Sequence, residues 1–193
     1  MSGTDYILGL FAIVTGLAIA DMIVSLHGLL MNRRNVTWDW LPIVAAAFVL
    51  LQIIATWRAF YVGFQGALKG PPIWVFLMLL TQNIGLYLAA RAALPDHVKV
   101  GEPIDLGDHY DHVDRYLWSA ILVSYAMVII LMGLEPFLLG SRQFPTIFVQ
   151  LLIVFPIMLS LVIWPNRRLH RIIVPMLFLW ICIRLLPARL LIT

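Results

Sequence analysis

Residues 6–31 read YILGLFAIVTGLAIADMIVSLHGLLM, an apolar run holding one acid, Asp21. A helix needs about 20 apolar residues to cross the hydrocarbon core of a bilayer, so this run is long enough to span one. Five further runs of the same kind follow, at 39–65, 72–94, 113–138, 144–164 and 168–190. The first run has no basic segment before it and no small-residue cleavage motif after it. It is therefore expected to be a retained helix and not a cleaved signal peptide.

Composition points the same way. Hydrophobic residues make up 62% of the 193-residue chain and charged residues 12%, with a mean hydropathy of +0.95. A soluble domain carries about 25% charged residues. Half that density leaves too little polar surface for a globule in water, whereas lipid-facing side chains have to be apolar. The one cysteine, Cys182, allows no disulfide or thiolate metal cluster within the chain. The net charge of +3 comes from Lys and Arg at helix ends, which membrane topology explains without nucleic acid.

The breaks between runs are short. Asn32-Arg33-Arg34-Asn35 closes the first, and Lys69-Gly70-Pro71-Pro72 parts the second from the third. Pro95 to Gly107 is the one long loop, and Gly140-Ser141-Arg142 and Pro165-Asn166-Arg167-Arg168 make the last two turns. Connections of this length make successive helices antiparallel neighbours. The fold class is thus all-α: a polytopic membrane protein of six transmembrane helices, forming one domain over residues 1–193. Arg33, Arg34, Arg91, Lys99, Arg115, Arg167, Arg168 and Arg171 gather at one membrane face. Arg58, Lys69, Arg142, Arg184 and Arg189 fall at the other. The positive-inside rule makes the first face cytoplasmic and both termini periplasmic. Trp38, Trp40, Trp74, Tyr116, Trp118 and Trp164 are expected at headgroup level, and Pro156 and Pro175 are expected to kink helices 5 and 6.

The candidate site residues are the polar groups inside the spans. A carboxylate at the depth of Asp21 costs roughly 2.5–3.5 kcal/mol on insertion scales unless it is paired, protonated or hydrated. Two readings follow: Asp21 belongs to an ion or proton path, or it holds helices together. Asp21, Ser25 and Gly28 share one stripe of helix 1, while Ala12, Gly16, Ala20 and His27 share another, a small-residue face suited to close helix packing. Gln52 and Thr56 share a face of helix 2, with Arg58 off it and free to snorkel outward. In helix 3, Thr81, Gln82 and Asn83 point in three directions, and Thr81, Gly85 and Ala89 form a packing face. Asp21, Gln52, Thr56, Gln82 and Asn83 are the candidate lining of a path. Interhelical hydrogen bonding would use the same side chains. A Glu135–Arg184 pair at the outer end is conceivable, but no spacing supports it.

Residues 96–114 hold six of the ten acids, with His109 and His112 three apart. His109, His112 and Asp108 could ligate a metal. Alternatively Asp108 caps helix 4, and Asp111 pairs with Arg115 one turn on. His27 and His170 both fall near cytoplasmic helix ends and could ligate a haem or chlorin if those helices touch. Among Arg167, Arg168 and Arg171, His170 fits an anionic-lipid headgroup site equally well. No cofactor is required by any motif. The chain has no G-x-S-x-G, H-E-x-x-H, P-loop or dinucleotide-binding glycine pattern, so an enzyme is not indicated.

GLAIADMIVSLHGLLMNRRNVTWDWLP (16–42), LYLAARAALPD (86–96) and HYDHVDRYLW (109–118) resemble an uncharacterised family of small six-helix bacterial inner-membrane proteins. The resemblance implies a bacterial inner membrane and six helices, and it brings no reaction or substrate. Two functional classes remain. One is a channel-like or transport-like protein, expected to be a homo-oligomer because six short helices leave little room for a path in one protomer. The other is a non-catalytic accessory or assembly subunit of a larger membrane complex.

Overall fold

A computed structural model of the chain describes residues 3–67, 72–96, 101–139 and 146–186, with side chains over 6–61, 72–96, 101–134 and 148–186. The side chain of Glu135, the turns at 68–71 and 140–145, and helix 6 beyond residue 186 lie outside the described residues. So do Lys69, Lys99, Arg142 and Arg189 of the charge count.

The described chain is helical almost throughout. The helices are α1 Gly3–Met31, α2 Trp40–Ala67, α3 Ile73–Ala93, α4 Leu106–Leu139, α5 Thr146–Ile163 and α6 Arg167–Leu185. α1 to α4 are each long and apolar enough to cross a membrane. α5 and α6 are shorter, at 18 and 19 residues, and α6 carries Arg167, Arg168 and Arg171 in its first turns. Both run unbroken through Pro156 and Pro175.

α4 begins at Leu106, two turns before the expected start at residue 113. The cause is a cap supplied by Asp105, whose Oδ1 accepts from the backbone N–H of Gly107 at 2.8 Å and of Asp108 at 3.1 Å. The expected cap, Asp108, is already inside the helix. Asp39 caps α2 in the same way, accepting from Leu41 N–H at 3.0 Å, and Asn166 caps α6 through Arg168 N–H.

Packing places the helices in a ring. α2 lies against α3, α3 against α4, α4 against α5, α5 against α6, and α6 returns to α2. α1 stands outside this ring, against α2 and α3. Its buried face is Phe11, Ala18, Met22, Ser25 and Leu29, a spacing of three, four and seven that follows one side of a helix. The small-residue stripe of Ala12, Gly16 and Ala20 is not on that face. Ala12 and Ala20 are exposed, and a side chain added at Gly16 would meet open space.

The tightest approach is between α3 and α4. A Cβ on Gly85 would stand 2.4 Å from Ser124 Oγ and 2.9 Å from the Ala120 carbonyl oxygen, so only glycine allows these helices to meet here. Gly85 and Ala89 are buried as the packing face predicts, but Thr81 is exposed and donates to the Leu77 carbonyl of its own helix.

One end of the bundle is clasped by its loops. β1 (Val36–Thr37) pairs in parallel with β2 (Ile104–Asp105). Asn32 donates to the Glu102 carbonyl at 2.8 Å and accepts from Gly101 N–H at 3.1 Å, where Gly101 takes the positive φ that glycine favours. Arg167 bridges Asp39 and Asp111, tying the starts of α2, α4 and α6 together. Asp111 therefore does not pair with Arg115. Trp118, expected at the membrane interface, is fully buried at this end, and its N–H donates to Tyr110.

Candidate functional site

Six polar side chains of the ring helices converge on one cavity of about 210 Å³. Gln52 and Thr56 reach it from α2, Gln82 from α3, Ser124 and Tyr125 from α4, and Arg184 from α6. The rest of the wall is apolar, including Phe60, Leu79, Leu86, Leu131, Met132 and Leu151.

Each polar group is placed by its helix. Gln52 and Thr56, one turn apart, fall on the same inward face and are both buried. Tyr125 donates its hydroxyl to Gln52 Oε1 at 2.9 Å, joining α4 to α2. Ser124 Oγ lies 3.0 Å from both the Gln82 and Ala120 carbonyl oxygens, which fixes Gln82 against the Gly85 crossing. The Gln82 side chain is 4% exposed, and its Oε1 has no donor among the described residues. A buried amide oxygen left this way costs about 1–3 kcal/mol unless a ligand or water donates to it.

Of the expected lining, Gln52, Thr56 and Gln82 meet in this cavity, while Asn83 and Asp21 do not. Asn83 faces α1, with Nδ2 3.5 Å from the Phe11 carbonyl oxygen. Asp21 sits on α1, outside the ring. Its carboxylate pairs at 3.2 Å with Arg91, which also holds Asp96 at 2.7 Å. The Asp21 side chain is 32% exposed and belongs to this three-residue charge cluster, not to the cavity. Arg58 is half-buried, with its Nε buried and without a hydrogen-bond partner among the described residues.

The remaining expected sites come apart in the structure. His109 turns inward and donates through Nε2 to the Ala92 carbonyl at 3.2 Å. His112 folds back on its own helix, donating through Nδ1 to the Asp108 carbonyl at 2.8 Å. The two rings thus face different partners, and among the described residues no three His, Cys, Asp or Glu come together to hold a metal. His27 is exposed on α1, whereas His170 is 1% exposed inside the clasped end. Both His170 nitrogens are engaged: Nε2 donates to the Leu161 carbonyl at 3.2 Å, and Nδ1 accepts from the Tyr110 hydroxyl at 2.9 Å. That leaves His170 no lone pair for a haem or chlorin, and it separates His170 from the headgroup site expected around it. Arg168 and Arg171 are exposed as that site requires, but Arg167 is committed to Asp39 and Asp111.

Ser124, Tyr125 and Arg91 were not singled out by sequence. Ser124 and Tyr125 lie in a run without polar neighbours. Arg91 was counted only as a topology charge, and the signal it offered was its place on the same side of the bundle as Asp21.

Fold and site together define an all-helical protein with four helices long and apolar enough to cross a membrane, and with a largely apolar cavity between its helices that a few polar side chains reach. Comparison with protein-family models, with curated proteins and with solved structures finds no match to this chain.

Proposed function

We propose that this is a transport-like protein of a bacterial inner membrane, in which the cavity inside the α2–α6 ring receives the transported species. In this reading the chain crosses the membrane six times with both termini in the periplasm, and Asp21 serves as a structural partner of Arg91. The observation that carries it is the convergence of Gln52, Thr56, Gln82, Ser124, Tyr125 and Arg184 from four helices on one cavity. Polar side chains at membrane depth are costly, and they are held there by pairing or by a water-accessible space. Tyr125 and Gln52 satisfy one another, with Thr56, Gln82 and Arg184 beside them in the cavity wall. Six spans are supported by α5 and α6, whose 18 and 19 residues rise about 27–28 Å beside the longer helices. Orientation rests on the Lys and Arg distribution, and the bacterial inner membrane on the resemblance of residues 16–42, 86–96 and 109–118.

A second reading is an accessory or assembly subunit, in a homo-oligomer or a larger complex. The exposed Ala12, Gly16 and Ala20 stripe favours it, since nothing among the described residues fills the space over Gly16.

Cysteine labelling separates the two. In a Cys182→Ser background, Thr56→Cys is expected to react with a small water-soluble thiol reagent in intact membranes, and Asp21→Asn is expected to leave that rate unchanged. A Thr56→Cys protein that reacts only after denaturation would remove the cavity from any transport path and leave the assembly reading.

A further inference from the structure

A second cavity lies at the clasped end, between α4 and the α5–α6 turn. It measures about 240 Å³ and is lined by Tyr110, Asp111, Asp114, Pro165, Arg167 and His170. Helical rise sets it apart from the first. On α4, about 22 Å separates Tyr110 from Tyr125, and on α6 about 21 Å separates His170 from Arg184.

Between these two levels the bundle is closed. Trp118 and Ile121 follow Tyr110 along α4, Phe48 stands one turn before Gln52 on α2, and Val174 and Leu177 lie between His170 and Arg184 on α6. All of these are buried, and the rings of Phe48 and Trp118 meet with their centroids 5.8 Å apart. Trp118 is also tied back to the wall of the second cavity. Its N–H donates to the Tyr110 hydroxyl at 2.9 Å, and that hydroxyl donates to His170 Nδ1 at 2.9 Å.

The outer side of the second cavity is closed by charge. Arg167 bridges Asp39 and Asp111, so one side chain spans the starts of three helices. It lies so close over the start of α4 that a Cβ on Gly107 would stand 2.5 Å from Nη2. The Arg167 and Asp111 side chains are 34% and 45% exposed, and ion pairs that keep a face to water hold weakly. Without Arg167, the two carboxylates it bridges would repel one another. A clasp that served stability alone would be packed solid behind the ion pairs. This one covers a cavity walled by Asp111, Asp114 and Arg167, and a polar cavity of this size holds water.

We propose that the clasped end is a closed gate of the path, with Arg167 as its latch and the Phe48–Trp118 contact as its plug. Breaking the Arg167 pairs frees the starts of α2, α4 and α6 to part, and the second cavity becomes the vestibule through which water reaches Gln52 and Thr56. This rests on the reading of the first cavity as the transport site and adds how that site is shut on one side.

The test uses the full chain carrying Thr56→Cys in the Cys182→Ser background, in inverted and in right-side-out membrane vesicles. Arg34→Cys, at a position exposed at the clasped end, identifies which vesicles present that end. The probes are a cationic and an anionic methanethiosulfonate, neither of which crosses the bilayer. With the latch intact, Thr56→Cys should react slowly from the clasped side. Arg167→Gln should raise that rate about five- to thirtyfold for both probes, while leaving the rate from the other side within about twofold. Asp111→Asn, which keeps the Asp39 arm, should give a smaller rise in the same direction, and it serves if Arg167→Gln does not fold. Trp118→Phe, which gives up the bond to Tyr110, should raise the clasped-side rate of the Arg167→Gln protein further, and an unchanged rate overturns the assignment of the plug. Folded latch variants whose clasped-side rate stays within about twofold of the parent overturn the gate. So does an equal rise from both sides, which is general loosening, or a rise for the cationic probe alone, which is the lost charge of Arg167 and no opening. A parent that reacts as fast from the clasped side as from the other overturns it as well. In all these cases reaction from the far side leaves the cavity reading standing. If Thr56→Cys reacts from neither side in any of the proteins, both fall.

Discussion

Gly85→Ala is the substitution on which fold and cavity meet. The new methyl would lie 2.4 Å from Ser124 Oγ and 2.9 Å from the Ala120 carbonyl oxygen, against about 3.4 Å or more for ordinary contact. Ser124 can swing away only by giving up its bonds to the Gln82 and Ala120 carbonyls, worth about 1 kcal/mol net. The Ala120 carbonyl is part of the α4 backbone and cannot swing at all, so the two helices have to part by several tenths of an ångström. Overpacking of this kind costs about 1–3 kcal/mol. Alanine recovers about 1 kcal/mol through its better helix propensity. Cancelling that gain against the lost Ser124 bonds leaves a net destabilisation of about 1–3 kcal/mol. Reversible unfolding in mixed micelles, followed by tryptophan fluorescence, measures it. Ser124→Ala in the Gly85→Ala background removes the nearer of the two contacts, so the pair should be less destabilised than the two single changes added together. A Gly85→Ala protein as stable as the parent would refute the close-crossing argument and the placement of Gln82 that depends on it.

Three further outcomes follow from the geometry. Asp21→Asn should lower thermal stability less than Arg91→Gln, because the second change leaves both Asp21 and Asp96 without their partner; equal effects would contradict the shared ion cluster. Tyr110→Phe should destabilise by about 2–4 kcal/mol in the same unfolding assay, since it strips the acceptor from the buried Trp118 N–H and the donor from His170 Nδ1; a loss under 0.5 kcal/mol would argue against that chain of bonds. Burial pushes the Asp39 carboxyl up, but the Leu41 N–H and the Arg167 guanidinium outweigh it and hold the group below its ordinary value of 3.8. Its contribution is therefore fully present above that value and lost as pH falls through the lower folded value. The stability gap between Asp39→Asn and the parent should be open at pH 7 and close towards pH 3, and a gap independent of pH would refute the pairing.

The helices were legible because apolar runs and their breaks are local features, and five of the six starts lie within about three residues of expectation. α4 was the exception, because the cap that starts it could be Asp105 or Asp108, and only the pairing of residues 36–37 with 104–105 decides between them. The polar lining was legible in part. Gln52, Thr56 and Gln82 could be identified as inward-facing, but which helices close a ring is a property of packing. Nothing local to α1 says that it stands outside that ring, so Asp21 looked like a lining residue. Its partner Arg91 lies 70 positions away, and the relative register of two helices is written in no single stretch. His170 misled for a similar reason: its basic neighbours suggested a headgroup site, while the partners that bury it, Tyr110 and Trp118, come from another helix.

The most direct test of the central claim is an electron cryomicroscopy map of the protein extracted with its own surrounding lipid. The account predicts non-protein density within the α2–α6 ring, touching Gln82 and Arg184, with the Asp21 carboxylate against Arg91 on the far side of α3. A ring interior filled by side chains, with Asp21 facing an open water-filled space, would contradict it.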